Sequence, residues 1–398
     1  MIRSAGAKVL VVLVTVGTLV GATATGVAAK PKGNPIKIGA IYTEGVPGTD
    51  NPTLLTGAEV AAKYLDTKDG IGGQPVEIVG CNDKADPAQD VTCANKFVDE
   101  GVIAVTGLGP TWGDNGLPIT QRANIPFVGL PISNAEFLNP SSYPITGGSA
   151  AAFPALARYF IDKKVKKVAI IYADLAAGKL AADALLGDRF KAAGITDVTL
   201  IPEKIGAADF TPAVVKANEG NPDVIFTLFQ ETDCARIFEA AGQLGVKAAF
   251  GAPGSCAEGK AFEKVNQSIV KKAVFNTDTV FFKKNDKQAK IYRNSLKKFA
   301  KGTPTDSFSA TTFTTVMTLK TIIEQIGAAG ATSQAVLDAL ANANGIPVFM
   351  ATELNKANAA ELAGVPIHIY NADQRIVKLK KGNFADAGGD RWWNGFTN

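Results

Sequence analysis

From residue 36 onward the chain alternates short apolar runs with longer amphipathic ones, and it does so twice over. Alternation of this kind marks βαβ units and a parallel sheet: each apolar run has the length of a buried strand, and each amphipathic stretch has the spacing of a covering helix. The first series reads "IKIGAIYT" (36–43), a helix through "LLTGAEVAAKYLD", "PVEIVGCND" (75–83) and a helix through "PAQDVTCANKFVDE" (87–100). It ends with "VIAVTGLG" and "IPFVGLP" as third and fourth strands, a helix between them. The second opens on a helix, "TGGSAAAFPALARYFIDK", and continues through "VKKVAIIYAD" (165–174), a helix at "KLAADALLGDRFKAAG", and the strands "DVTLIP", "DVIFTLFQ" and "KAAFGAP" with helices between. Helices are expected next near 285–301, 307–327 and 333–343, and "PIHIYNADQRIVKLKKGNF" alternates like a hairpin-like pair of strands. The expected fold is α/β: two doubly wound parallel-sheet lobes with late returning segments.

At 398 residues the chain is long enough for two such cores. Its first 29 residues stand apart. "MIRSAGAK" carries two positive charges, residues 9–20 are largely apolar, and "TGVAAK" ends in small residues, the layout of a secretory signal cleaved after Ala29. An uncleaved anchor is the alternative, but the apolar run is shorter than the roughly 18 residues of a membrane span. The formal charge of +4 falls to +2 once Arg3 and Lys8 are removed, which does not suggest a nucleic-acid partner. The basic run at 283–302 is interleaved with Ile291, Leu296 and Phe299 and reads as a solvated helix face. Four cysteines in an exported chain read as two disulfides. Three pairings exist. Cys81 with Cys93 and Cys234 with Cys256 is the expected one, because each pair lies within one strand–helix neighbourhood. No CxxC or histidine spacing supports a metal, and the one histidine, His368, sits in a strand-like "IHIY" as a packed residue.

In open parallel sheets solutes collect beyond the carboxyl ends of strands and at helix N-termini. The first series offers Tyr42, Thr43 and Glu44, then Gly109, Pro110, Thr111 and Trp112, then Pro131, Ile132, Ser133 and Asn134. The second offers Asp174 and Leu175, then Phe229, Gln230 and Glu231, then Pro253, Gly254 and Ser255. Hydroxyls, amides and aromatics in this mix suit a small solute that must be both oriented and desolvated. The glycines of "IAVTGLGPTWGD" (103–114) do not make a phosphate cradle. Their spacing is one residue longer than the dinucleotide fingerprint, they follow the third strand, and no acid stands about 20 positions on. A hydrolase would depend on His368 alone, and no GxSxG elbow occurs.

"IKIGAIYTEGVPGTDNPTLLTGAEVAAKYLD", "GIGGQPVEIV", "DPAQDVTCANKFVDEGVIAVTGLGP" and "NIPFVGLPISNAEF", in this order, resemble the periplasmic solute-binding proteins of ABC transporters, of the leucine/isoleucine/valine-binding type. The likeness spans about 36–384. It implies a type I Venus-flytrap fold with three hinge crossings, near 147–151, 274–280 and 346–367. The lobes would be 36–149 with 277–345 and 150–276 with 346–398. It further implies that the lobes close on a small solute and present it to the permease subunits of an ABC importer, outside the cytoplasm, as a monomer and without a cofactor.

By the same resemblance, Thr111 and Ser133, beside Pro110 and Asn134, would take a solute carboxylate. The ammonium side is matched less well. The tyrosine expected after the first strand of the second lobe is replaced by "DLAAG", and Gly254 stands where an acid would be; Glu231 or Asp278 would substitute. Trp112, Phe229 and Tyr42 would form an aromatic wall. The solute class implied is an amino acid or another small, partly apolar carboxylate. An exported hydrolase-type enzyme and a sensory ligand-binding module on the same lobes are the alternatives.

Overall fold

The computed structural model describes residues 1–2 and 30–396, apart from 48, 259–261, 263 and 363–364. The export signal expected at 1–29 therefore lies almost wholly outside the described residues. Apolar runs become strands where the sequence reading places them. β1 (Ile36–Tyr42) lies between β2 (Val76–Asn82) and β3 (Val105–Gly107), all parallel. The connecting helices α1 (Thr53–Asp66) and α2 (Pro87–Asp99) bury their apolar faces on this sheet. The Asp86 side chain caps α2 by accepting the Ala88 N–H, and Pro87 fills the first turn, where no amide is needed.

The expected fourth strand is reduced to single bridges at Phe127, which pairs with Val105 and Ser142. Prolines 126 and 131, at the ends of this run, lack the N–H that a longer ladder requires. The single helix expected before it is two short ones, α3 (Trp112–Asn115) and α4 (Leu117–Arg122), with Gly116 between. α5 (Asn134–Leu138) and α6 (Gly148–Asp162) lead into the second lobe.

There β4 (Lys167–Ala173), β5 (Asp197–Glu203), β6 (Val224–Leu228), β7 (Ala249–Ala252) and β8 (Ala273–Thr277) form a parallel set in the order β5-β4-β6-β7-β8. The helix expected after β4 is α7 (Ala176–Leu180), a π-helical stretch over Ala181–Gly187 and α8 (Asp188–Ala192). α9 (Thr211–Asn218), α10 (Glu231–Gln243) and α11 (Gln267–Val270) complete this region.

After β8 the chain returns to the first lobe. α12 (Lys287–Phe299), α13 (Ser307–Ile326) and α14 (Ser333–Ala341) follow, close to the ranges expected. α13 packs on α1 and is buried along most of its length. A Cβ at Gly57 would overlap the Ser309 carbonyl and the Thr312 hydroxyl, so that glycine sets how closely the two helices approach. Two buried threonines of α13 satisfy themselves locally: Thr315 and Thr318 donate to the carbonyls of Thr311 (3.0 Å) and Thr314 (2.8 Å).

Two small antiparallel pairs then carry the chain back, β9 (Asn344–Pro347) with β10 (Glu353–Asn355) and β11 (Glu361–Leu362) with β12 (Val365–Pro366). The closing hairpin is β13 (Asp373–Lys380) and β14 (Asn383–Asp386), with β15 (Trp393–Asn394) on the other end of β13. The hairpin thus begins later than the sequence reading had it. "IHIY" is not a strand, and His368 stacks on Tyr143 with ring centroids 4.7 Å apart while its Nδ1 meets the Asn139 carbonyl at 3.0 Å. β13 lies antiparallel against β8 and so joins the second sheet. The four cysteines pair as Cys81–Cys93 and Cys234–Cys256, with Cα atoms 5.6 and 5.5 Å apart. Among the described residues no helix is long and apolar enough to cross a membrane.

Candidate functional site

The carboxyl ends of the strands of both sheets face one cleft of about 260 Å³. The first lobe contributes Leu108 and Pro110 from the turn after β3, and Leu130 and Ile132 from the run beside it. The second contributes Leu175 after β4, Phe229 and Gln230 after β6, and Gly254 and Ser255 after β7. The N-termini of α6 and α13 close the sides with Phe153 and Phe308. At one end lie Asn276 and Asp278, with Gln374 of β13.

Nine of the residues singled out in the sequence line this cleft: Pro110, Ile132, Leu175, Phe229, Gln230, Pro253, Gly254, Ser255 and Asp278. The others are elsewhere. Tyr42 packs behind the wall, against the Leu54, Leu108 and Leu130 cluster. Thr43 is fully buried; its N–H donates to Asn51 and its hydroxyl to Asp83, each at 2.7 Å. Glu44 is exposed, and Asp174 donates its N–H to the Glu203 carbonyl outside the cleft lining. Pro131 accepts the Ser149 hydroxyl at 3.1 Å, and Asn134 merely opens α5. Glu231 opens α10, and its side chain lies outside what is described.

Three expectations at the glycine-rich turn need correction. Trp112 is not a cleft wall. It has no exposed surface and is packed with Phe97 and Phe127 at centroid distances of 6.0 and 6.3 Å. The Thr111 hydroxyl is already spent, donating to the Asp90 carboxyl at 2.5 Å, while Gly109 leaves room for Asp83 and Asp90 beneath the turn. Burial pushes the Asp90 carboxyl up to about 7, with the Thr111 bond opposing. Ser133 is spent as well. It caps α5 in a reciprocal box with Glu136, whose carboxyl accepts the Ser133 N–H at 2.9 Å and its hydroxyl at 3.1 Å. Glu136 is itself buried, which raises its carboxyl to about 7. Each hydroxyl thus gives its one proton to a carboxyl of its own lobe, and neither has a donor left for a solute carboxylate.

The sequence reading missed Phe153, Phe308, Asn276 and Gln374. Gln374 had a signal: an amide that alternates with apolar Ala372 and Ile376, two positions to either side, and it is fully buried. Asp278 accepts the Thr311 hydroxyl at 3.0 Å, and burial raises its carboxyl above the ordinary range. It is the sole titratable side chain among the described residues of the lining. Just outside, Glu258 of the second lobe accepts both the N–H (2.8 Å) and the hydroxyl (2.7 Å) of Ser307 at the start of α13. Burial, and then the nearby Asp306 carboxylate, push Glu258 up to about 8. No group of three or more His, Cys, Asp or Glu is arranged to hold a metal among the described residues.

A family model described as "Periplasmic binding protein" matches residues 35–373. The chain belongs to the periplasmic binding protein family. Among relatives of this periplasmic binding protein, the Leu/Ile/Val-binding protein of Escherichia coli (strain K12) is 28% identical over 205 residues, 50% of this chain and 55% of that one. The Leu/Ile/Val-binding protein BraC3 of Rhizobium johnstonii is 25% identical over 301 residues, covering 74% and 80%. The chain thus spans about half the length of the first of these relatives. Solved structures share the fold. The branched-chain amino acid transporter substrate-binding protein LivJ of Streptococcus pneumoniae, in complex with isoleucine, superposes with a TM-score of 0.71 at 15% identity, over 91% of this chain and 99% of that one. A fatty acid ABC transporter substrate-binding protein of Thermomonospora curvata gives 0.74 at 14% identity, over 93% and 98%.

Proposed function

We propose that this protein captures a small solute in the cleft between its lobes and delivers it, as a monomer outside the cytoplasm, to the permease subunits of an ABC importer. The supporting observation is the cleft itself: strand ends from both sheets converge on one mainly apolar space that polar side chains such as Gln230, Asn276, Asp278 and Gln374 also line, the form of a small-molecule site. Lobe boundaries at 36–149 with 277–345 and 150–276 with 346–398 belong to this reading, as does hinged closure around the three crossings. Contacts made to the solute by both lobes at once would drive closure, because only the closed state makes all of them. The reading is of binding without turnover, since Asp278 alone would have to supply any acid–base chemistry.

Leucine, isoleucine and valine are the first compounds to try, since related proteins bear their names. A thermal-shift screen combined with native mass spectrometry of freshly purified protein tests the reading. A solute at 100 times its dissociation constant adds about 2.7 kcal/mol of stability. A protein with no co-purified compound, and a melting point that no small solute moves, would end it.

A further inference from the structure

β13 runs antiparallel to β8, with Ile376 opposite Asn276 and Arg375 opposite Thr277. This register brings the Gln374 and Asn276 side chains together, and Asn276 Nδ2 donates to Gln374 Oε1 at 2.9 Å. The bond uses one donor and one acceptor of the amide pair. Asn276 Oδ1 and Gln374 Nε2 are left without a partner, on residues that are 8% and 0% exposed. Exchanging N and O on both amides gives the same result, one free acceptor and one free donor. Buried polar atoms are costly to leave unpaired, and these belong to residues that line the cleft.

The surroundings discriminate between solute end groups. None of the described lining residues is Lys, Arg or His, and the carboxyl of Asp278 stands two residues along from Asn276. A solute carboxylate would satisfy the free donor but meet a carbonyl oxygen and another carboxyl. An ammonium would satisfy the free acceptor and be drawn by the Asp278 carboxyl, but would leave the free N–H facing another donor. A group with a donor beside an acceptor satisfies both. Phe153, Phe308, Leu130 and Phe229 supply walls for an apolar body.

We propose that the solute of this cleft has an apolar body and an uncharged amide-type end seated on Asn276 and Gln374, in place of a carboxylate or an ammonium. The proposal rests on the reading of the cleft as a solute site.

Calorimetric titration with hexanamide, hexanoate, hexylamine and leucine tests it, three of these probes sharing one six-carbon chain. Hexanamide is expected to bind at least about tenfold more tightly than the other three. The Asn276→Leu/Gln374→Leu variant, which removes both partners together, is expected to lose that preference. Hexanoate, hexylamine or leucine binding most tightly would overturn the amide assignment and leave solute capture standing. If none of the four binds, the compound that co-purifies on native mass spectrometry decides: an uncharged amide end supports the proposal, and a carboxylate or ammonium end overturns it. No binding and no co-purified compound would sink both readings.

Discussion

The glycine-rich turn shows how a residue's role depends on what lies beneath it. Thr111 and Ser133 are loop-end hydroxyls, and each serves a buried carboxyl of its own lobe. The second case was readable, since Ser133 and Glu136 have the spacing of a capping box. The first was not. Asp90 lies in an amphipathic helix that suggests exposure, and only the fold of the Gly109 turn over it makes it buried. Trp112 should report nothing about the cleft. In a Trp392→Phe/Trp393→Phe background its emission is expected to stay unchanged on solute titration and to resist iodide quenching; a large spectral shift would place it at the cleft after all. Trp112→Ala should cost about 3–5 kcal/mol in denaturant unfolding, as an aromatic lost from a core does. Phe308→Ala acts in the opposite sense, weakening solute affinity about tenfold or more through lost apolar contact.

Elements follow the sequence wherever apolar period and length agree. β1, β4 and α13 arise within a few residues of their expected places because burial and propensity point the same way. The departures have local causes, such as the prolines that limit pairing at Phe127 and the later start of the closing hairpin. Two element-level contacts invite tests. Gly57→Val should lower stability by about 1–3 kcal/mol by forcing α1 away from α13, read as a drop in melting temperature. Cys234 in α10 ties down the turn Gly254–Ala257, which carries Gly254 and Ser255 into the cleft. Cys234→Ser/Cys256→Ser is expected to lose about 3 kcal/mol in chemical denaturation and to bind solute less tightly. Unchanged affinity would show that the turn keeps its place unaided.

Across the whole molecule, the lobes meet at Glu258 and the start of α13 as well as at the cleft. Asp306 and Asp278 are the charged groups facing Glu258, and both disfavour its ionised form. Its folded value of about 8 lies above the ordinary glutamate value of 4.5, so the folded protein holds this proton more tightly than the unfolded chain does. The stability linked to it is full below the ordinary carboxylate range and is lost as pH rises towards about 8. Glu258→Gln removes the titration. The melting temperature of that variant should therefore gain on the wild type between pH 5 and 8, and a difference constant with pH would refute the assignment.

The position of β13 constrains how this chain can fold. The parallel strands of the second lobe are complete by Thr277, yet β8 finds its outer neighbour only at Arg375, Ile376 and Val377, about a hundred residues later. Until that stretch arrives, β8 presents an open edge ready to pair with any strand it meets. Final assembly must await a contact of long sequence separation, a slow step by topology alone. A chain cut short ahead of Asp373 would keep both amphipathic series and still carry a lobe with one raw seam.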